Sequence, residues 1–237
     1  EVINLSKSYK TKKAVNNISF KIDENEIVGL LGPNGCGKTT TIGMILGLLK
    51  PTSGQVLING KNIENNKISI LHKMNFISPY IELPKKLTVK QNLIVYGKLY
   101  NIKNLNERIN FLSEKLRLGD LLDKITGELS SGQKNRVSLA KALINDPTVL
   151  LLDEPTAALD PETADFIRTF LEKLREEKKI SVLLASHNMD EVKRLCNSVM
   201  MMKDGNIVDG GTPEDLIEKY GQKNLEEVFL KIVRKDK

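Results

Sequence analysis

Gly32-Pro33-Asn34-Gly35-Cys36-Gly37-Lys38-Thr39, followed by Thr40, is the stretch whose reading decides the fold. It has the form G-x-x-x-x-G-K-T, the Walker A or P-loop pattern. The run before it, 26–31, reads as a buried strand. Behind it, 40–49 has helical apolar spacing at Ile42, Ile45, Leu46 and Leu49. Strand, glycine loop and helix in that order are the context the pattern needs. The glycines let backbone N–H groups turn inward around an anion without Cβ clashes. The following helix points its positive end at the same spot. Lys38 adds a full charge for β- and γ-phosphates, and the Thr39 hydroxyl is a ligand for Mg²⁺. Gly32, Pro33, Asn34, Gly35, Cys36, Gly37, Lys38, Thr39 and Thr40 are therefore expected to bind a nucleoside triphosphate.

On the N-terminal side, two alternating runs at 2–9 and 14–22 flank the lysine-rich turn 10–13 and read as an antiparallel strand pair. Tyr9 lies just before that turn; its ring is either a base-stacking surface or an ordinary strand aromatic. On the C-terminal side, 51–54 is a turn, 55–59 a short strand, 62–72 polar and irregular, and 74–78 another strand. His72 has no second ligand candidate nearby and reads as a surface residue. From 87 to 146 the periodicity becomes helical, over 89–100, 106–118 and 121–124. A break at 127–131 precedes a helix at 132–145 with Val137, Leu139, Ala140, Leu143 and Ile144 on its apolar face. This predicts a helical lobe, 79–146, inserted into an α/β core formed by 1–78 and 147–237. The whole is one domain.

Past the lobe, 149–152 is wholly apolar, as in the middle of a parallel sheet. A helix follows over 161–178 with Pro161 in its first turn. Another buried strand spans 180–185, a helix 190–195, and a hairpin 198–202 and 206–208. Met200, Met201 and Met202 read as sheet core rather than a binding surface. Short helices over 213–220 and 225–233 end the chain.

The 237 residues suffice for one good core. The two cysteines are Cys36 and Cys196. A disulfide at Cys36 would disturb the phosphate loop, so a reducing compartment is expected. No apolar run approaches the roughly 18 residues of a membrane span, and Glu1-Val2-Ile3-Asn4 does not read as a signal peptide. The net charge of +6 is spread as lysines among acidic residues with few aromatics. That is a solvated exterior rather than a nucleic-acid surface.

Asp153-Glu154, after four apolar residues, is a Walker B pattern. Asp153 at the strand end can hold Mg²⁺ through water, and Glu154 can polarise a water for in-line attack on the γ-phosphate. His187 ends a neighbouring predicted strand. Strand C-termini of such a sheet line one crevice, so Asp153, Glu154 and His187 are expected to converge on the phosphates.

Leu129-Ser130-Ser131-Gly132-Gln133 resembles the L-S-G-G-Q signature of ATP-binding cassette (ABC) ATPases. Ala157-Ala158-Leu159-Asp160 resembles their D-loop, His187 their switch histidine, and Tyr9 their adenine-stacking aromatic. The resemblance covers essentially the whole chain. It implies a P-loop NTPase fold: a mostly parallel core sheet flanked by helices, an N-terminal antiparallel β subdomain and an inserted helical subdomain. It implies ATP and Mg²⁺ as cofactors, Thr39 and Asp153 as metal ligands, and Glu154 and His187 as catalytic residues. It also implies a head-to-tail pair of cassettes, as a homodimer or with a second ABC ATPase subunit. Ser130, Ser131, Gly132, Gln133 and Asp160 would then meet the ATP held by the partner's loop. Ser130 reads as the N-cap of the helix that makes this second anion site.

Two departures stand out. Ser131 replaces the second signature glycine, so a Cβ and a hydroxyl enter the phosphate approach. The family's Gln after the strand at 76–78 is missing from Ser78-Pro79-Tyr80-Ile81-Glu82-Leu83-Pro84; Ser78, Tyr80 or water remains to fill the metal shell. The resemblance implies a transporter subunit, cytoplasmic and peripheral on the inner face of the membrane, driving a separate membrane-spanning permease that docks at 80–99. The tail 225–233 resembles that of bacterial drug and polysaccharide export ATPases, which points to an exporter. The alternative is a soluble single-cassette assembly factor. No nucleic-acid partner is expected.

Overall fold

The structure, a computed structural model, describes residues 1–79, 81–177 and 179–234. Tyr80 and Lys178 lie outside them. β1 (Val2–Tyr9) and β2 (Lys12–Phe20) pair antiparallel through a turn in which Lys10 takes φ 52°. β3 (Ile27–Leu31) is buried throughout and leads into the glycine loop and α1 (Lys38–Ile45). β4 (Ser53–Ile58) and β5 (Lys61–Asn62) complete an antiparallel sheet in the order β2-β1-β4-β5. Then come α2 (Lys67–Leu71), β6 (Met74–Ile77), α3 (Val89–Leu99), α4 (Leu105–Lys115) and α5 (Ser131–Leu143). The chain closes with β7 (Val149–Asp153), α6 (Pro161–Glu177), β8 (Ser181–Ala185), α7 (Met189–Leu195), β9 (Ser198–Lys203), β10 (Asn206–Gly211), α8 (Pro213–Tyr220) and α9 (Leu225–Arg234).

The second sheet has the order β10-β9-β3-β8-β7-β6. Its pairs are parallel except β10 on β9. Its central strands β3, β8 and β7 are nearly continuous apolar runs because both faces are covered. On one face Leu150, Leu152, Val182 and Leu184 share a core with Leu93, Leu112 and Leu139 of the inserted helices. On the other, Val28, Leu30, Leu151 and Leu183 pack with Ile42 and Met44 of α1 and with Val2, Leu5 and Val15 of the antiparallel sheet. Met200, Met201 and Met202 are buried in β9, as expected.

Three local expectations need correction. Residues 62–72 are not wholly irregular: α2 forms there and buries Ile70. The helix expected over 121–124 is a single tight turn at Gly119–Leu121. Its neighbours bond sideways instead, since the Lys90 and Val89 N–H groups donate to Leu122 O and Lys124 O. Lastly, α1 stops at Ile45 rather than running to Leu49, because Gly47 turns left-handed at φ 64° and the Leu48 and Leu49 N–H groups fold back to Gly43 O.

The inserted helices meet the sheet edge at a buried polar joint. Lys141 Nζ of α5 lies 3.2 Å from Phe76 O and 3.4 Å from Asn75 Oδ1, over the rings of Phe76 and Tyr96. Asn75 Nδ2 donates to Asn145 Oδ1 at 3.0 Å. Burial pulls the Lys141 ammonium down to about 8 from its ordinary 10.5. Between those values the unfolded chain holds the proton that the folded chain has released, so stability rises with pH across that window. Below it, the fold carries the full cost of a buried cation. Urea titrations should show Lys141→Met flattening that rise, a difference of up to about 3 kcal/mol between pH 8 and pH 10.5.

Candidate functional site

The glycine loop follows the central strand β3. Gly37 caps α1 at φ 116° and offers no side chain to the free N–H groups behind it. An added Cβ there would lie 2.4 Å from Ala14 O; one at Gly32 would lie 2.3 Å from Met202 O. Neither position tolerates a larger residue without moving the backbone around the cradle. The Gly205 N–H donates to Cys36 O and the Asn16 N–H to Gly205 O, so the β9–β10 turn and the antiparallel sheet brace the loop. Lys38 Nζ reaches back over the loop, donating to Gly32 O at 2.6 Å and Pro33 O at 3.2 Å. Thr41 Oγ1 is used internally on Gly37 O, while Thr39 is exposed at the start of the helix. Cys36 and Cys196 are both buried free thiols.

β7 and β8 deliver the acidic side of the site. Asp153 Oδ2 accepts from Ser78 Oγ at 3.4 Å. Burial, with the adjacent Glu154 charge second, pushes the Asp153 carboxyl above its ordinary range, and Lys38 pulls against that shift. Glu154 sits in the left-handed region at φ 51°, its N–H donating to Ala185 O at 2.8 Å. This turns its carboxylate toward the loop after β8, where Oε2 lies 2.7 Å from His187 Nδ1. The His187 side chain is 76% exposed and open to a ligand. Lys38, Asp153, Glu154 and His187 thus meet at one end of the parallel sheet. Of the two side chains available in place of the missing Gln, Ser78 touches Asp153, and Tyr80 lies outside the described residues.

The signature segment forms a separate feature. Ser130 caps α5 and Gln133 answers it: Gln133 N donates to Ser130 Oγ, and Ser130 N to Gln133 Oε1. Gly132 packs against Thr163 of α6, which would lie 3.1 Å from an added Cβ. Among the described residues no hydrogen bond joins 130–133 to 32–40. Ser131 lines a cleft of about 250 Å³ with Ser78, Glu154 and Ala158. Asp160 Oδ1 accepts from Thr163 N at 2.9 Å, which holds its carboxyl below the ordinary range. Tyr9 ends β1 half-exposed, with Lys7 Nζ 5.2 Å above its ring. Two buried groups escaped the sequence reading, Lys141 and Glu191. Their partners come from other elements, and the one cue for Glu191 was its place four residues after His187.

A glycine cradle before a helix, a basic side chain over it, and paired acids at the end of the buried strand β7 define a P-loop nucleoside triphosphatase. The family described as "ABC transporter" matches residues 15–157, and one described as an AAA domain, putative AbiEii toxin, matches 125–192. The ABC transporter ATP-binding protein NatA of Bacillus subtilis is 35% identical over 95% of this chain and 93% of its own length. The choline transport ATP-binding protein OpuBA of the same organism is also 35% identical, but the chain spans only 61% of it. Among solved structures, an ATP-binding subunit of an ABC transporter superposes with TM-score 0.90 at 26% identity, covering 98% of both chains. A dimeric ATP-binding cassette in a post-hydrolysis state with ADP and phosphate gives TM-score 0.81 at 27% identity, covering 89% of this chain and 97% of that one. The chain belongs to the ABC transporter family and is an ATP-binding, ATP-hydrolysing subunit of it.

Proposed function

We propose that this cassette hydrolyses ATP between two nucleotide-binding subunits to drive a membrane-spanning export permease. The observation that carries the reading is the gathering of Lys38, Asp153, Glu154 and His187 at one end of the parallel sheet, where the Lys38 charge acts on Asp153 and His187 touches Glu154. Residues 32–40 cradle the triphosphate, Lys38 pairs with its β- and γ-oxygens, and Tyr9 faces the base. Glu154 holds the attacking water, and His187 fixes the Glu154 carboxylate. The exposed Thr39 hydroxyl and the Asp153 carboxylate are oxygen donors suited to Mg²⁺. When bound, Mg²⁺ neutralises phosphate charge. The signature at Ser130, Ser131, Gly132 and Gln133 stands apart from its own loop and fits the ATP of a second cassette, with Asp160 beside it. The lobe 79–146 carries that signature; 1–78 and 147–237 carry the loop and acids.

No helix among the described residues is long and apolar enough to cross a membrane. Ile81, Val95 and Leu99 are exposed in the segment assigned to permease docking, which supports a subunit that binds a membrane protein from the cytoplasmic side. The export direction rests on the α9 tail. Tagged protein expressed in its native host and purified from detergent-solubilised membranes should retain a polytopic membrane protein at stoichiometric yield. Recovery from the soluble fraction alone, with soluble partners, would replace the transporter reading with that of an assembly factor.

A further inference from the structure

We propose that Glu191 is a positioning residue for hydrolysis, its buried carboxylate locking the segment that leaves Glu154 to the loop that presents His187. The inference rests on the roles proposed above for Glu154 and His187. Glu191 lies on α7, fully buried. Its Oε1 accepts from Thr156 Oγ1 at 2.8 Å and its Oε2 from Ser186 Oγ at 2.6 Å. Thr156 is two residues past Glu154, and Ser186 immediately precedes His187. The same Ser186 hydroxyl accepts from Asn188 N at 3.1 Å, and Asn188 Oδ1 caps α7 by accepting from Glu191 N at 3.0 Å. Both loops that carry the Glu154–His187 contact are therefore fastened to one side chain.

That fastening meets a specific need. His187 is mostly exposed and touches Glu154 from the open side, so packing does not hold it there. Glu154 keeps a left-handed backbone that only its surroundings can maintain. A carboxylate is a costly way to fill a buried space, and a Leu would fill it without desolvation. A carboxylate can, however, accept from two hydroxyls on two loops at once. The Thr156–Asp160 stretch also carries the proposed partner-facing Asp160. A displacement there on cassette closure would pass through Thr156 and Glu191 to Ser186 and His187.

The test is a double-mutant cycle on ATP hydrolysis, read by radiolabelled phosphate release so that slow variants remain measurable. Glu191→Ala should lower kcat by about tenfold or more and leave KM for ATP within about twofold. In a His187→Ala background the same change should cost less than about twofold, because its target is already gone. Glu191→Gln, which retains an acceptor and gains a donor, should recover at least about half of kcat. If Glu191→Ala yields no folded protein, Thr156→Val with Ser186→Ala runs the same cycle. In the nucleotide-free protein, imidazole NMR resonances of His187 should shift in Glu191→Ala while those of His72 stay. Equal losses in the two backgrounds, or an unchanged kcat, overturn the proposal and leave the His187 role standing. An unchanged kcat in His187→Ala alone overturns both.

Discussion

Glu154→Gln is expected to lower ATP turnover by on the order of 10²–10⁴ while ATP still binds. Gln keeps the shape of the side chain and an oxygen facing His187 Nδ1, 2.7 Å away in the native protein. It loses the ability to take a proton from the attacking water. The strained φ at position 154 belongs to the backbone and is unaffected. The loss should therefore fall on kcat, with the dissociation constant for ATP changed by no more than about threefold. Single-turnover hydrolysis beside calorimetric titration separates the two. Unchanged turnover would remove Glu154 from the mechanism.

Lys38→Ala is expected to act on binding itself. Lys38 Nζ donates to Gly32 O and Pro33 O, so the cation stands over the cradle. Its charge is felt by Asp153 as well. Two charge-assisted hydrogen bonds to phosphate are worth roughly 3–6 kcal/mol together. Their loss should weaken ATP binding by on the order of 10²–10⁴. Titration with a fluorescent ATP analogue measures this, and far-UV circular dichroism checks that the loop variant is folded. ATP affinity within about threefold of the native value would contradict the cradle as assigned.

How much of this was legible in the sequence depended on whether the governing interaction is local. The glycine loop was legible because only glycine suits φ 116° at position 37 and the close approach at position 32. The buried strands were legible because β3, β7 and β8 are almost unbroken apolar runs. Asp153, Glu154 and His187 followed from their place at strand ends. The Ser130 cap was legible from its partner three residues on, Gln133. Other features depend on tertiary partners. α2 has five residues and is held by burial of Ile70. Lys141 reads as a polar position on an amphipathic helix until β6 closes over it. Glu191 reads as one of two adjacent acids at a helix start. Nothing local says that hydroxyls 35 and 5 residues away will enclose it. Asp160 matches a D-loop in sequence, and the fold adds that its carboxylate caps the start of α6.

The pairing of two cassettes around ATP is tested most directly by light scattering on purified Glu154→Gln, with and without saturating Mg²⁺ and ATP. The account predicts the mass of one chain without nucleotide and twice that mass with ATP, reversed when ADP replaces it. It also predicts that Lys38→Ala in the same background abolishes the shift. A Glu154→Gln protein that binds ATP yet keeps the mass of a single chain would contradict a site shared between two copies of this cassette.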